Sequence, residues 1–369
     1  MNAIDLNLKG KQMADISGHK TRDSGIELLR IVAMFLVLVS HYINGSLGGG
    51  FCYVQTGSVN ELILYLLECI SICAVNIFVL ITGYYLSGKK EINVRKPLDL
   101  FVRCLVFLAV YSVVISIVQK EVISFDSINN GILPNYWFII IYSVIYILSP
   151  YINKAIAACS DKQLGILVLL MFVFFSLIPI LLNSISFYSY RMFSWANPVG
   201  GGRDNAAQVI NFAGLYTAGA FLRRIDEKVS DLKIYKPVLG LIVVIIIDLA
   251  WVLFDKTVYK EVLVQFALHN PLIIAEAVLL FVIFRKLNIR NNKVINRVSG
   301  AAFTVYITHL FFIRLFSIED HVRSSPLIML GHIILFCMLL YLAGMVINEL
   351  YGLVNRPFYN LLKRKTDRV

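Results

Sequence analysis

The chain has 369 residues, of which 58% are hydrophobic and only 15% charged, with a mean hydropathy of +0.75. A chain this apolar has too little polar surface to cover a soluble core, which excludes ordinary soluble domains and points to an all-α, polytopic membrane bundle. The formal net charge of +11 is scattered over separate short segments. It therefore reads as topology signal and attraction to anionic lipid, with no nucleic-acid partner.

Residues 1–25 are polar and contain no short apolar core before a small-residue cleavage site, so they are expected to be a retained cytoplasmic tail. Ten apolar segments follow, at 26–46, 61–87, 97–119, 135–157, 164–182, 206–222, 235–254, 271–287, 295–316 and 327–351, and each is read as a crossing. The segment 206–222 is the most polar, because Gln208, Asn211 and Thr217 dilute it. Together 26–351 form one membrane domain, and 352–369 form a basic cytoplasmic tail. With the N-terminus inside, the outer loops hold six basic residues: Lys120, Arg191, Arg203, Lys256, Lys260 and Arg323. Three more, Arg30, Arg103 and Arg314, lie within spans, and the other 25 of the 34 fall on the cytoplasmic side, giving N-in and C-in in a plasma or inner membrane. The six cysteines form no disulfide framework or metal-ligand spacing, and no metal is expected. Glycine triplets at 48–50 and 200–202 are read as flexible turns.

The first span, RIVAMFLVLVSHYING, carries Arg30 and His41 in an otherwise apolar helix. Eleven residues at about 100° each return to within about 20° of the starting direction, so both share one face, about 16 Å apart along the axis. The other ionisable residues in spans are Glu68, Arg103, Asp248, Glu276, His309, Arg314 and His332. Such groups face a bundle interior or water and mark functional positions. The first and ninth spans run in the same direction. His41 and His309 both fall about 21–22 Å above the cytoplasmic edge, so the two imidazoles are expected to share one cavity. His332 is expected to hydrogen-bond a neighbouring helix. Glu68, Asp248 and Glu276 are each candidates to orient a histidine, and the sequence does not choose among them.

Five stretches occur in an order that resembles the membrane-bound acyltransferase-3 family, whose members O-acylate surface glycans and other acceptors. They are IELLRIVAMFLVLVSHY, VNIFVLITGYYLSGKK, NYWFIIIYSVIYILSPYINK with its Trp-led span ending at a proline, SGAAFTVYITHLFFI with Tyr and His three apart, and YGLVNRPFYNLL after the last span. The sequence departs from the family at Leu100, where a second arginine often precedes Arg103, at Thr82 in place of serine, and at Asn355 in place of an acidic residue. These departures suggest the branch that decorates capsular or extracellular polysaccharide.

The resemblance implies transfer of an acyl group, most simply acetyl, from cytosolic acyl-CoA as co-substrate to a hydroxyl of a surface polysaccharide, with no tightly bound cofactor. Arg30 and Arg103 near the cytoplasmic face suit the phosphates of the donor. A neutral imidazole near pH 7 suits removal of a hydroxyl proton, which makes His41 the base, or alternatively the carrier of a transient acyl group. His309 would hold the acceptor, orient His41 or polarise the thioester. Glu27, three residues before Arg30, is placed to pair with it. Tyr306 and Trp137 are supporting candidates, Trp137 as a stacking platform for sugar at the outer interface. A transporter or flippase for glycan or lipid-linked sugar is the competing reading, although no repeat of the kind many transporters carry is present. A membrane scaffold or sensor without catalysis is a third.

Overall fold

The computed structural model describes residues 22–45, 47–89, 91–93, 95–119, 136–185, 205–258, 262, 265–313 and 315–366, and all regular secondary structure in them is helical. Arg314, the residues Lys120, Arg191, Arg203 and Lys260 expected in outer loops, and the glycine triplet at 200–202 lie outside the described residues, as do residues 1–21.

Helix α1 (Ser24–Ile43) begins where Asp23 accepts hydrogen bonds from the amides of Gly25 and Ile26. This is the cap expected of a short acidic side chain. After the short α2 (Gly50–Tyr53), α3 (Val59–Ser71) and α4 (Ala74–Leu86) divide the expected second span at residues 72–73. Next come α5 (Arg95–Gln119), α6 (Trp137–Ala158), α7 (Asp161–Phe172), a π turn at Val173–Leu177, α8 (Ile178–Ile185) and α9 (Asn205–Arg224). The chain ends with α10 (Asp226–Asp231), α11 (Tyr235–Val258), α12 (Pro271–Lys286), α13 (Lys293–Gly300), α14 (Ala302–Ile313), α15 (Glu319–Val322) and α16 (Pro326–Thr366).

In its described residues each apolar segment is thus mainly helical, but they are not ten uniform crossings. Among the described residues, seven stretches are long and apolar enough to cross a membrane: Ser24–Ile43, Val59–Leu86, Lys96–Val114, Trp137–Ala158, Asp161–Leu181, Tyr235–Val258 and Pro326–Val354. Of the other three segments, α9 is long but polar-diluted, α12 has 16 residues, and the expected ninth span breaks at Ala301 into α13 and α14. Pro150 does not end its span; it lies inside α6. A proline has no N–H for the carbonyl four residues back, and here the Ser149 hydroxyl donates to that Tyr146 carbonyl at 2.7 Å. Outside the core, α5, α11 and α16 present apolar side chains such as Leu105, Val113, Ile246, Leu335 and Leu339, a surface suited to lipid.

Close crossings position the site. A β-carbon on Gly83 would lie 2.1 Å from the Tyr216 carbonyl oxygen, and one on Gly219 would lie 2.2 Å from that of Leu80. Helices α4 and α9 therefore meet backbone to backbone, the contact small residues permit in membranes. The same approach joins α16 to α14, where a β-carbon on Gly344 would sit 2.6 Å from Val305. Asn153 donates to the Leu86 and Lys89 carbonyls and accepts from the Tyr216 hydroxyl at 2.7 Å, satisfying the end of α4.

Candidate active site

Helix α1 packs against α3, α4, α12, α13, α14 and α16, so its polar residues face protein on several sides. Near its start, Arg30 pairs with Glu27 at 2.7 Å, one turn away on the same helix. The second Glu27 oxygen accepts a short hydrogen bond from the Ser299 hydroxyl of α13. Glu27 therefore anchors the guanidinium from below and ties it to a second helix. Ser299 opens the SGAAF stretch, but its partner is 272 residues away, so only the fold connects them.

Three turns further along α1, His41 meets His309 of α14. The His41 Nδ1 and His309 Nε2 atoms are 2.6 Å apart, and the rings stack at a 4.8 Å centroid distance. The other His309 nitrogen, Nδ1, lies 3.2 Å from the Val305 carbonyl. A carbonyl only accepts, so His309 Nδ1 carries the proton and its Nε2 is the acceptor. The His41 Nδ1–H must then be the donor, and in a neutral imidazole the lone pair falls on His41 Nε2. No described residue hydrogen-bonds that atom. His309 is fully buried. The pair is thus a relay of fixed tautomers that ends in an unprotonated nitrogen.

None of the three acidic candidates touches His41. Glu68 instead accepts from Ser40, the preceding residue, at 2.9 Å. Asp248 and Glu276 are buried with no oxygen or nitrogen partner among the described residues. His332 takes the role expected of it, with its Nδ1 2.8 Å from the Tyr42 hydroxyl. Among the described residues, no three His, Cys, Asp or Glu side chains gather to hold a metal ion.

A cavity of about 260 Å³ runs from Arg30 toward the histidine pair. Arg30, Met34 and Val37 form one wall, and Thr82, Phe138 and Tyr306 lie across from them. Val37 is one turn before His41, and Tyr306 is one turn before His309, with ring centroids 5.8 Å apart. The cavity therefore begins at the arginine and ends one helical turn short of the imidazoles. Its walls are apolar except for a few hydroxyls and Arg30, which suits an uncharged chain. Leu100, at the position where the resemblance leads one to expect an arginine, also lines it, as does Thr82.

Arg103 is not part of this wall. It pairs with Asp99 at 3.2 Å and lies over the Tyr351 ring at 4.7 Å and the Phe303 ring at 5.9 Å. Phe303 in turn borders the cavity. Trp137 packs against Phe138 and Phe212 in the bundle. Its neighbour Tyr136 is buried, and its hydroxyl donates to the Ile307 carbonyl at 2.8 Å.

With this geometry in place, comparison with known families matches residues 23–349 to an acyltransferase domain, that of the acyltransferase-3 family. The chain belongs to that family. The match covers α1 through most of α16 and includes every residue of the Arg30–His41–His309 arrangement. No curated protein and no solved structure matches the chain. With its long apolar helices, it is a multi-pass membrane acyltransferase.

Proposed function

We propose that the protein moves an acetyl group from acyl-CoA on the cytoplasmic side to a hydroxyl of a polysaccharide on the far side of the plasma or inner membrane. The observation that carries this is the His41–His309 pair, with His41 Nε2 left unprotonated, on the same helix face as Arg30, from which an apolar cavity runs to within one helical turn of the pair. In this reading Arg30 holds a donor phosphate at the cavity mouth, Arg103 attracts the donor nearby, and the acylated arm lies along Met34 and Val37 toward the histidines.

His41 Nε2 accepts the hydroxyl proton as the hydroxyl oxygen attacks the thioester carbonyl. The carbon–sulfur bond then breaks, the ester stays on the sugar, and the departing thiolate takes the proton from His41 to leave as free CoA thiol. His309 acts through His41. It fixes the tautomer and stabilises the transient imidazolium, as a partner acceptor does in other base-orienter pairs. The test is acyl transfer by detergent-purified protein from radiolabelled acetyl-CoA to base-deacylated polysaccharide of the source cells. Label in polysaccharide that depends on His41 supports the reading. Movement of unmodified glycan with no thioester consumption would favour a flippase.

A further inference from the structure

The glycine triplet at residues 48–50 was expected to be a flexible turn, and the structure corrects this. The Gly48 amide donates to the His41 carbonyl at 2.9 Å. A β-carbon on Gly48 would lie 2.3 Å from the Tyr42 carbonyl oxygen, and one on Gly50 would lie 2.9 Å from Ile43 Cα. Gly49, at φ +92°, lets the Tyr53 ring lie against the backbone, 2.6 Å from where its β-carbon would be. The triplet is a close-packed return that fastens α2 to the end of α1 carrying His41.

A second wall is fastened opposite. Both Asn60 amide hydrogens are used on the Val322 and Ser324 carbonyls, each at 2.8 Å. The Arg323 guanidinium donates to the Tyr53 carbonyl at 3.2 Å and pairs with Glu319. Between the walls is a cleft of about 540 Å³ lined by Tyr53, Gln55, Asn60, Arg323 and Ser324. The Asn60 amide hydrogens are thus both committed, which leaves its Oδ1. That oxygen is buried without a hydrogen-bond partner among the described residues, in a side chain only 7% exposed. Asn60 stands eight residues from Glu68 on α3, about 12 Å along the axis. Glu68 in turn bonds Ser40, next to His41. The cleft therefore opens above the histidine end of the bundle, away from Arg30.

We propose that this cleft is an acceptor subsite that holds neutral sugar units flanking the one whose hydroxyl reaches His41. This rests on the acyl-transfer reading above. The lining suits a ligand that both donates and accepts: Arg323 offers N–H groups, and Gln55 does both. Hydroxyl groups meet both demands. A lipid tail would leave these polar groups without partners, which is costly. Arg323 is already paired with Glu319, which leaves little positive charge for an anion. The walls are held before any ligand arrives, so little ordering opposes binding.

The test uses full-length protein in detergent, with base-deacylated polysaccharide of the source cells as the probe. Gln55→Ala and Arg323→Ala should each raise the acceptor KM about tenfold, the effect of losing a hydrogen bond or two, while the acetyl-CoA KM and kcat stay within about twofold. Separately, Cys52 is exposed and lines the cleft, so the polysaccharide should slow its labelling by a membrane-impermeant maleimide. Transfer with unchanged acceptor KM in both variants and unprotected Cys52 would overturn the subsite and leave the acyl-transfer reading standing. Protection of Cys52 without any transfer would uphold the cleft as a glycan site and overturn the reaction instead.

Discussion

At the scale of single residues, the site divides into a base, the group that orients it, and a cation three turns away. Each should fail differently. His41→Ala removes the base and should abolish transfer, while the protein still elutes as a folded species in detergent. His41→Asn should lower kcat by at least about 100-fold, a typical general-base contribution, with acetyl-CoA binding near wild type by calorimetry. His309→Phe keeps the ring's bulk but takes away the acceptor for His41 Nδ1–H. It should lower kcat by about 10- to 100-fold, with little change in either KM, because His309 acts through His41. Arg30→Lys keeps the charge and loses the planar fork. It should raise the acetyl-CoA KM about tenfold and leave kcat nearly unchanged. If His41→Asn loses acetyl-CoA binding while Arg30→Lys keeps it, the two roles are inverted. The cavity between them makes that a sharp distinction, since neither side chain reaches the other's end.

At the scale of helices, glycine was the residue whose meaning the sequence hid. Gly83 is part of the TGY stretch, and composition alone does not separate a turn glycine from one at a backbone crossing. In the structure even alanine would collide with the Tyr216 carbonyl. Gly83→Ala should cost several kcal/mol through forced separation of α4 and α9, read as loss of the monodisperse peak on fluorescence-detected size exclusion. The matched depth of His41 and His309 was legible, because rise per residue is fixed and both helices run the same way. The Ser299–Glu27 bond was not, since nothing local announces a partner 272 residues away, and neither was Glu68 choosing Ser40 over His41. His269, in the turn before α12, carries a separate consequence. Burial pushes its pKa down from 6.5 to about 4, with neither ring nitrogen partnered among the described residues. Between those values the unfolded chain binds more protons than the folded one, so stability falls as pH drops from about 6.5 to about 4. Melting temperature in detergent should fall over that window, and His269→Gln should flatten the fall.

At the scale of the whole molecule, contacts sort the chain into two ends, and the charge split predicts a side for each. Arg285 reaches Asp23 and Asp226, the amide of Asn292 donates to Ser24, Arg224 donates to the Ile156 and Cys159 carbonyls, and Asn153 donates to that of Lys89. All these segments sit where the sequence puts its excess of lysine and arginine. At the other end, Asn60 and Arg323 bridge the α2–α3 and α15–α16 connections, and Lys256 pairs with Glu61. The basic residues of the first end are partly engaged in joining helices, yet their sum still biases insertion, because the bias counts charges near span ends, whatever their later partners. The expected orientation is therefore N-terminus in, with the acceptor cleft outside. A cysteine scan in intact cells checks it. Gly50 is a poor reporter position, since it is buried and a β-carbon there would strike Ile43, whereas Gln55, Lys228 and Lys293 are exposed. In a Cys52→Ser background, Gln55→Cys should react with an impermeant maleimide from outside. Lys228→Cys and Lys293→Cys should react only after the membrane is opened. Labelling of Lys293→Cys in sealed cells would place the Arg30 end outside, away from cytosolic acyl-CoA, and the direction of transfer proposed above would have to be reversed.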